Sequence, residues 1–129
     1  MEENIQLFFS NNKWSFVDDD KKVRKIFKFK SFTEAFSWMT EVAFEAEKMD
    51  HHPDWTNVYS NVDVTLSTHD QNKITNKDLF LAEIMENAFV KFNQDLTLIA
   101  ESVKMNNKMR EEYELDEREK NNNIKFGEK

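Results

Sequence analysis

The residues best suited to chemistry lie in two short segments of the chain. All 3 histidines fall there, His51 and His52 in Asp50-His51-His52-Pro53-Asp54-Trp55 and His69 in Ser67-Thr68-His69-Asp70. The ordinary pKa of imidazole lies near neutral pH, so the group can both donate and accept a proton. If the fold brings the two segments together, the histidines predict an acid/base pocket.

The histidines also have two alternative interpretations, a purely structural role and a zinc site. A single histidine is more often a surface or satisfied core residue than a catalytic group, although convergence of all three favours function. Three imidazoles can bind zinc, but two adjacent histidines at a junction of helix and strand rarely aim at one ion. The chain has no cysteine, which excludes disulfides and cysteine-based zinc or nucleophile sites. We therefore favour acid/base chemistry without a metal.

A helix before the first segment fixes the place of His51. Ser31-Phe32-Thr33-Glu34 has the spacing of a capping box, and an apolar stripe follows to about residue 49. Pro53 disfavours helical geometry at the residue before it, so the helix ends there. His51 then lies at a helix C-terminus, whose partial negative charge favours protonated imidazole. The stripe comprises Phe32, Ala35, Phe36, Met39, Val42, Ala43 and Ala46.

Two strands link the histidine segments. Residues 55–59 and 62–68 alternate apolar and polar side chains, and Ser60-Asn61 between them can form a two-residue turn. In that register Tyr59 faces Val62. Carried outward, the pairing places His52 opposite His69, so we expect the three histidines to meet at the open end of a β-hairpin.

The rest of the chain predicts a second hairpin and two further helices. Residues 14–17 and 23–30 read as strands, although Lys25 and Ile26 interrupt the alternation of the second, and residues 5–9 favour a short helix. Thr75 begins a helix with Asp78 near its N-terminus, a placement that suits a carboxylate. We expect this helix to reach about residue 110, with Leu96, Ile99, Val103 and Met105 in its extension.

That helix has apolar residues on more than one side. Leu79, Ala82 and Phe89 can face the sheet, which leaves Phe80, Ile84 and Ala88 on another side. One sheet covers one stripe, so the second stripe predicts a homodimer or homotetramer. The alternative is that the N-terminal segment covers it within one chain.

Composition limits the function classes. The net charge of -7 argues against direct binding to nucleic acid. The acidic start is unlike a signal peptide, and without about 18 consecutive apolar residues no membrane span is expected. We expect a cytoplasmic protein, with the nucleus as a second compartment. A single domain is predicted over 1–105, and the polar residues 106–129 predict a helix end and a disordered tail.

The histidine segments carry a family resemblance. Glu47-Lys48-Met49-Asp50-His51-His52-Pro53, followed by Tyr59, Val62, Val64, Leu66 and Thr68-His69-Asp70, resembles pterin-4a-carbinolamine dehydratase. The resemblance covers about residues 14–90. It implies an α+β fold in which a four-stranded antiparallel sheet carries helices on one face, with a long C-terminal helix. Many members have glycine where this chain has Gln71-Asn72-Lys73; Asn72 can adopt the left-handed conformation, so we expect an altered loop and a retained site.

The resemblance also implies a reaction and a set of roles. The family dehydrates a 4a-hydroxytetrahydropterin without metal or cofactor, so His51 and His69 are the acid/base candidates and His52 positions the pterin. Glu47, one helical turn before His51, would orient it or hold the pterin. Weaker substrate-binding candidates are Asp50, Pro53, Thr68, Asp70 and Asp78.

A second function class follows from the same resemblance. Some relatives act as dimerisation cofactors of a homeodomain transcription factor through helix surfaces. The exposed apolar side of the last helix would serve such a partner or self-association.

Overall fold

The computed structural model describes residues 1–92, which form the α+β fold that the sequence predicts. The elements are α1 (Glu3–Asn11), β1 (Ser15–Val17), β2 (Lys22–Lys28), α2 (Phe32–Met49), β3 (Asp54–Val58), β4 (Asn61–Leu66) and α3 (Asn76–Phe92). A 3-10 turn, His69–Gln71, separates β4 from α3. The strands form one antiparallel sheet in the order β1-β2-β4-β3. Within residues 1–92, no helix is long and apolar enough to cross a membrane.

The core lies between the sheet and the three helices of this region. Alternation along β4 buries Val62, Val64 and Leu66 on one face, and helical spacing presents a matching apolar surface. Trp38 of α2 is fully buried, and its indole Nε1 donates to the backbone oxygen of Met85 in α3 at 3.0 Å. A buried aromatic side chain needs such a partner for its polar atom. Trp38 therefore links the two helices that carry the histidine site.

Inward and outward side chains alternate along the whole of β2, whereas the sequence predicted an interruption at Lys25 and Ile26. Lys25 lies on the inward side between Val23 and Phe27, and its ammonium contacts a carboxylate oxygen of Glu86 at 2.5 Å. The indole Nε1 of Trp14 donates to the same oxygen at 3.0 Å. A lysine can occupy an inward position because α3 supplies this carboxylate. The pair connects the sheet to α3.

The buried face of α2 differs from the predicted stripe. Ala35, Val42 and Ala46 are buried as predicted, but Phe32 and Phe36 are 48% and 56% exposed. Ala43 is exposed as well. Trp38, outside the predicted stripe, is buried in their place. The helix has apolar residues on two overlapping faces, and the face with the largest side chain gains the most from burial, at about 25 cal/mol per Å².

The prediction for α3 was right for some positions and wrong for others. Leu79 and Ala82 are buried, and Phe89 packs against the core. Ala88 was placed on the outer side, but it is only 4% exposed. The helix α1 packs against α3, and its Ile5 and Phe9 join the same core. The N-terminal segment therefore adds to the core beside α3, which is part of what the alternative interpretation expected.

Part of the apolar surface of the helices stays uncovered in this single chain. Phe80 and Val90 of α3 are 52% and 62% exposed, and Phe44 of α2 is 68% exposed. The predicted continuation of the helix through Leu96, Ile99, Val103 and Met105, the domain boundary at 105 and the tail 106–129 lie outside the described residues.

The register of the β3–β4 hairpin was predicted wrongly by two residues. Val58 faces Asn61 and Asp54 faces Thr65, so the turn is Tyr59-Ser60 and the ladder ends before His52. Tyr59 takes the positive φ of 57°. The side chain of Asn57 donates to the backbone oxygens of Tyr59 and Asn61, both at 3.0 Å, and so stabilises this turn. A shift of two residues keeps every side chain on the same face of the sheet, because side chains alternate with a period of two. The buried and exposed faces of the hairpin were therefore predicted correctly.

The outer face of the sheet carries an ion pair between neighbouring strands. Arg24 of β2 donates from Nε and Nη2 to the two carboxylate oxygens of Asp63 in β4, at 2.9 and 2.6 Å. The hydrogen bond from Arg24 lowers the pKa of Asp63, and the same bond raises the pKa of Arg24. The pair is exposed, so it sets the charge of this face more than the stability of the fold.

We expect the protein to form a homodimer or homotetramer, because Phe44, Phe80 and Val90 leave apolar surface on the helices. Sedimentation equilibrium at tens of micromolar should give a mass at least twice the 15.5 kDa of one chain. The double variant Phe44→Ser, Phe80→Ser should sediment closer to the monomer, whereas Leu7→Ser on α1 serves as a matched control. A folded wild-type sample that sediments only as monomer would contradict this prediction.

Candidate active site

The end of α2 places His51 as the sequence predicted. Asp50 caps the helix in the left-handed conformation with φ 51°, and the His51 N–H donates to the backbone oxygen of Ala46 at 3.1 Å. This backbone bond spans five residues and ends the helix in the manner of a Schellman motif. Pro53 follows outside the helix. The imidazole of His51 is therefore held at the junction between α2 and β3.

Asp78 lies beneath His51 and binds its ring. The Oδ1 atom of Asp78 is 2.7 Å from Nε2 of His51, and both side chains are buried. The second oxygen, Oδ2, accepts from the hydroxyl of Thr68 at 2.8 Å and from the backbone N–H of Thr75 at 2.9 Å. Thr75 Oγ1 accepts from the Lys77 N–H at 3.3 Å and so caps α3, while the bond from the Thr75 N–H to Asp78 is the returning half of the predicted capping box. The carboxylate thus joins α2, the end of β4 and the start of α3.

These contacts predict which nitrogen of His51 carries a proton. A carboxylate oxygen accepts hydrogen bonds, so we expect the proton on Nε2, which faces Oδ1 of Asp78. When His51 is neutral, Nδ1 is then the nitrogen with a free lone pair. Among the predicted substrate-binding residues, Asp78 and Thr68 are buried at 0% and 2% exposure. Asp78 binds the imidazole directly, and Thr68 binds Asp78.

His52 and Glu47 form a separate, exposed pair. Glu47 Oε1 is 2.9 Å from His52 Nε2, and the two side chains are 80% and 59% exposed. The sequence predicted Glu47 beside His51, but the structure pairs it with His52. Asp78, 27 residues after His51 in the sequence, binds the His51 ring instead, because α3 folds back onto the end of α2.

His69 lies on the 3-10 turn that follows β4. Its Nε2 is 3.6 Å from Oδ2 of Asp54, and both side chains are about two-thirds exposed, at 66% and 63%. A bridge between Thr68 and Lys73 closes the loop, and Asn72 adopts the left-handed conformation with φ 52°. This is the conformation that the sequence predicted for Asn72 in a loop without glycine.

The three histidines line one cleft of about 430 Å³. Asp50, Pro53, Thr68 and Asp70 from the predicted set also line it, whereas Glu47 and Asp78 are outside its lining and contact His52 and His51. Sequence reasoning missed two lining residues, Asp54 and Lys77. Both are adjacent to predicted residues, so their positions beside Pro53 and Asp78 were the available signal. Within the described residues, no group of three or more histidine, aspartate or glutamate side chains is arranged to hold a metal ion.

Comparison with known proteins decides the family. The family model for pterin 4 alpha carbinolamine dehydratase matches residues 1–88. The chain belongs to the pterin-4a-carbinolamine dehydratase family. A relative from Mesorhizobium japonicum, provisionally named pterin-4-alpha-carbinolamine dehydratase, is 53% identical over 76 residues, or 59% of this chain and 78% of the relative. A relative from Jannaschia sp. with the same provisional name is 52% identical over 73 residues, or 57% and 74% of the two chains.

Two solved structures of other proteins share the fold. A transcriptional coactivator/pterin dehydratase from Brucella melitensis aligns with a TM-score of 0.62 and 39% identity, over 68% of this chain and 96% of that one. A pterin dehydratase-like RuBisCO assembly factor of the alpha-carboxysome aligns with a TM-score of 0.52 over 59% of this chain and 88% of that one. At 17% identity, the second likeness concerns the fold alone.

We expect Asp78 to hold His51 in the Nε2–H form. In long-range ¹H–¹⁵N spectra of the imidazoles at pH values where they are neutral, the wild-type His51 ring should show a protonated Nε2 and an unprotonated Nδ1. Asp78→Ala removes the acceptor, so the ring should become a mixture of the two neutral forms. Asp70→Ala, at another carboxylate of the cleft, is the control and should leave the His51 signals unchanged. An Nδ1–H form in the wild type would refute the assignment.

Proposed function

We propose that this protein removes water from a 4a-hydroxytetrahydropterin to give the quinonoid dihydropterin, as a step in tetrahydrobiopterin recycling. The observation that carries the proposal is the convergence of three imidazoles on one cleft in a member of this family. The provisional names of the relatives at 52–53% identity support the same reaction. The cleft volume of about 430 Å³ suits a small bicyclic substrate.

The reaction needs one proton delivered and one removed. The bond between C4a and the hydroxyl oxygen breaks, and a proton on that oxygen lets it leave as water. The N5–H proton departs, and its bonding pair forms the double bond between C4a and N5. The proton gained by the leaving group balances the proton lost from N5, so no oxidant or metal is required. Two groups that titrate near neutral pH can perform both transfers.

His51 and His69 are the proposed proton-transfer pair. His51 is held in a fixed orientation by Asp78, and a fixed ring favours proton transfer because less reorientation is needed. His69 sits on the loop after β4 and is exposed beside Asp54, so it reaches the cleft from another element.

The remaining groups of the cleft are proposed to hold the pterin. His52, paired with Glu47, is placed to contact the ring, while Asp50 and Asp70 supply carboxylate oxygens. The pyrimidine half of a pterin presents amide and amino N–H donors, which carboxylates accept with charge-assisted hydrogen bonds. Pro53 also lines the cleft and adds apolar surface.

Replacement of His51 or His69 should mainly lower kcat for the dehydration of a freshly generated 4a-hydroxytetrahydropterin. General acid/base groups contribute about 10²–10⁴-fold, and the loss in each single variant will be smaller where the other imidazole substitutes. The double variant should lose less than the product of the single losses. His52→Ala should instead raise KM more than it lowers kcat, because the variant loses a contact that binds the substrate and the transition state equally.

The burial of His51 requires a folding control. His51→Ala leaves Asp78 without one partner in a buried site, so His51→Gln, whose side-chain amide can donate to that carboxylate, is measured beside it. Circular dichroism should show both variants folded. Wild-type kcat and KM in a folded double variant of His51 and His69 would refute the proposed chemistry.

We expect the dehydration to need no metal ion, because imidazoles supply both proton transfers. Dialysis against a chelator should leave kcat/KM within about twofold of its starting value, since acid/base catalysis has no step that requires a Lewis acid. Loss of activity on chelation, with recovery on addition of zinc, would contradict this expectation.

A second candidate function is binding of a partner protein through a helix, as in a dimerisation cofactor. The exposed Phe44, Phe80 and Val90 favour it, and the Brucella melitensis relative is described as a transcriptional coactivator. A partner helix that binds this face should compete with self-association of the protein. Dehydratase activity that survives in the Phe44→Ser, Phe80→Ser variant would separate the two functions.

A further inference from the structure

A second cleft adjoins the candidate active site. Its volume is about 570 Å³, and it lies between the start of α1 and the segment 71–77. Ile5 and Ile74, which are 3% and 6% exposed, form an apolar floor. Lys77 is the one residue that lines both this cleft and the histidine cleft. Lys77 therefore borders both clefts.

The charge of the lining changes sign from one cleft to the other. The histidine cleft holds the carboxylates of Asp50, Asp54 and Asp70, with Lys77 as the single ammonium group in its described lining. The second cleft holds Lys73 and Lys77 against one carboxylate, that of Glu2.

Neither of these two lysines is neutralised by a neighbour in the described part of the chain. Among residues 1–92, the salt bridges involve Arg24, the histidines and other lysines, and no carboxylate lies within 4.0 Å of the ammonium of Lys73 or Lys77. The second cleft thus combines an apolar floor with two cations available to a ligand. An anionic group attached to an apolar spacer fits this combination.

The proposed reaction says which part of the substrate reaches Lys77. The histidines must flank C4a and N5, where the hydroxyl leaves and the proton departs. C6 is bonded directly to N5, so a substituent on C6 leaves the ring at the reacting edge. The carboxylates of the histidine cleft would repel an anion on that substituent, and the route past Lys77 leads away from them.

We propose that the C6 substituent of the pterin passes over Lys77 into the second cleft, and that the protein accepts the neutral dihydroxypropyl group of tetrahydrobiopterin but prefers a substituent ending in a carboxylate or a phosphate. This inference rests on the proposed dehydration, and it adds a substrate class to it. Lys77 contacts the anion directly, and Lys73 adds positive potential at the far side of the cleft.

The test compares three 4a-hydroxytetrahydropterins whose C6 substituents end in a hydroxyl, a carboxylate or a phosphate. For the wild-type protein, kcat/KM should be about fivefold higher for an anionic substituent than for the neutral one, the effect of a solvent-exposed charge pair. The preference should decline as salt is raised from low ionic strength to 0.5 M, because exposed charges are screened. A preference for only one of the two anions supports the inference and names the anion.

Two variants separate Lys77 from the general charge of the protein. Lys77→Gln should bring the anionic-to-neutral ratio of kcat/KM to about one. Lys28→Gln removes an exposed lysine at the other end of the sheet and should keep the wild-type ratio. Equal kcat/KM for all three substrates in the wild type, or an anionic preference that persists in Lys77→Gln, would overturn the inference.

A binding measurement distinguishes failure of this inference from failure of the proposed function. If none of the three substrates is dehydrated, the proposed function is wrong. Unreactive dihydropterins with the same three substituents are therefore titrated by fluorescence in parallel. Tighter binding of the anionic forms that Lys77→Gln abolishes supports the second cleft in either case, and equal dissociation constants refute it.

Discussion

The buried carboxylate of Asp78 is the interaction on which the histidine site depends. It accepts from Thr68 at the end of β4 and from the Thr75 N–H at the start of α3, and it binds His51 at the end of α2. An unpaired carboxylate in the interior would be very costly, so its three partners must be in place for the fold to tolerate it. The same bonds that make the carboxylate tolerable hold the imidazole in place.

The three histidines differ in how firmly the fold holds them. His51 is buried and bound by Asp78, whereas His52 and His69 are exposed and each is paired with one exposed carboxylate. A proton-transfer group gains from fixed geometry, while a group that contacts a substrate surface needs access. The difference in burial follows from where each residue lies. His51 follows the end of α2, where that helix packs on α3. His52 is one residue farther along the chain, and His69 lies on the turn after β4.

Much of the architecture could be predicted from local patterns. Ser31 caps α2, Thr75 and Asp78 form the box before α3, and β4 buries its alternate residues. The predictions were wrong where the local sequence allowed two conformations almost equally well. The hairpin could turn at Tyr59-Ser60 or at Ser60-Asn61 with the same faces, and α2 has two apolar faces of which the sheet covers the one with Trp38. Local sequence does not rank such alternatives, because the deciding contacts come from Met85 and other distant residues.

The sequence by itself determined the residue types of the site, the end of α2 at His51 and the family to which the chain belongs. Those depend on short-range rules: capping, the restriction before Pro53, and the spacing of the histidine segments. Only the tertiary structure decided that Asp78 and not Glu47 binds His51, that Glu47 pairs with His52, and that Lys77 stands between two clefts. These contacts join residues from separate elements, and their distances are set by how α3 packs against α2 and the sheet.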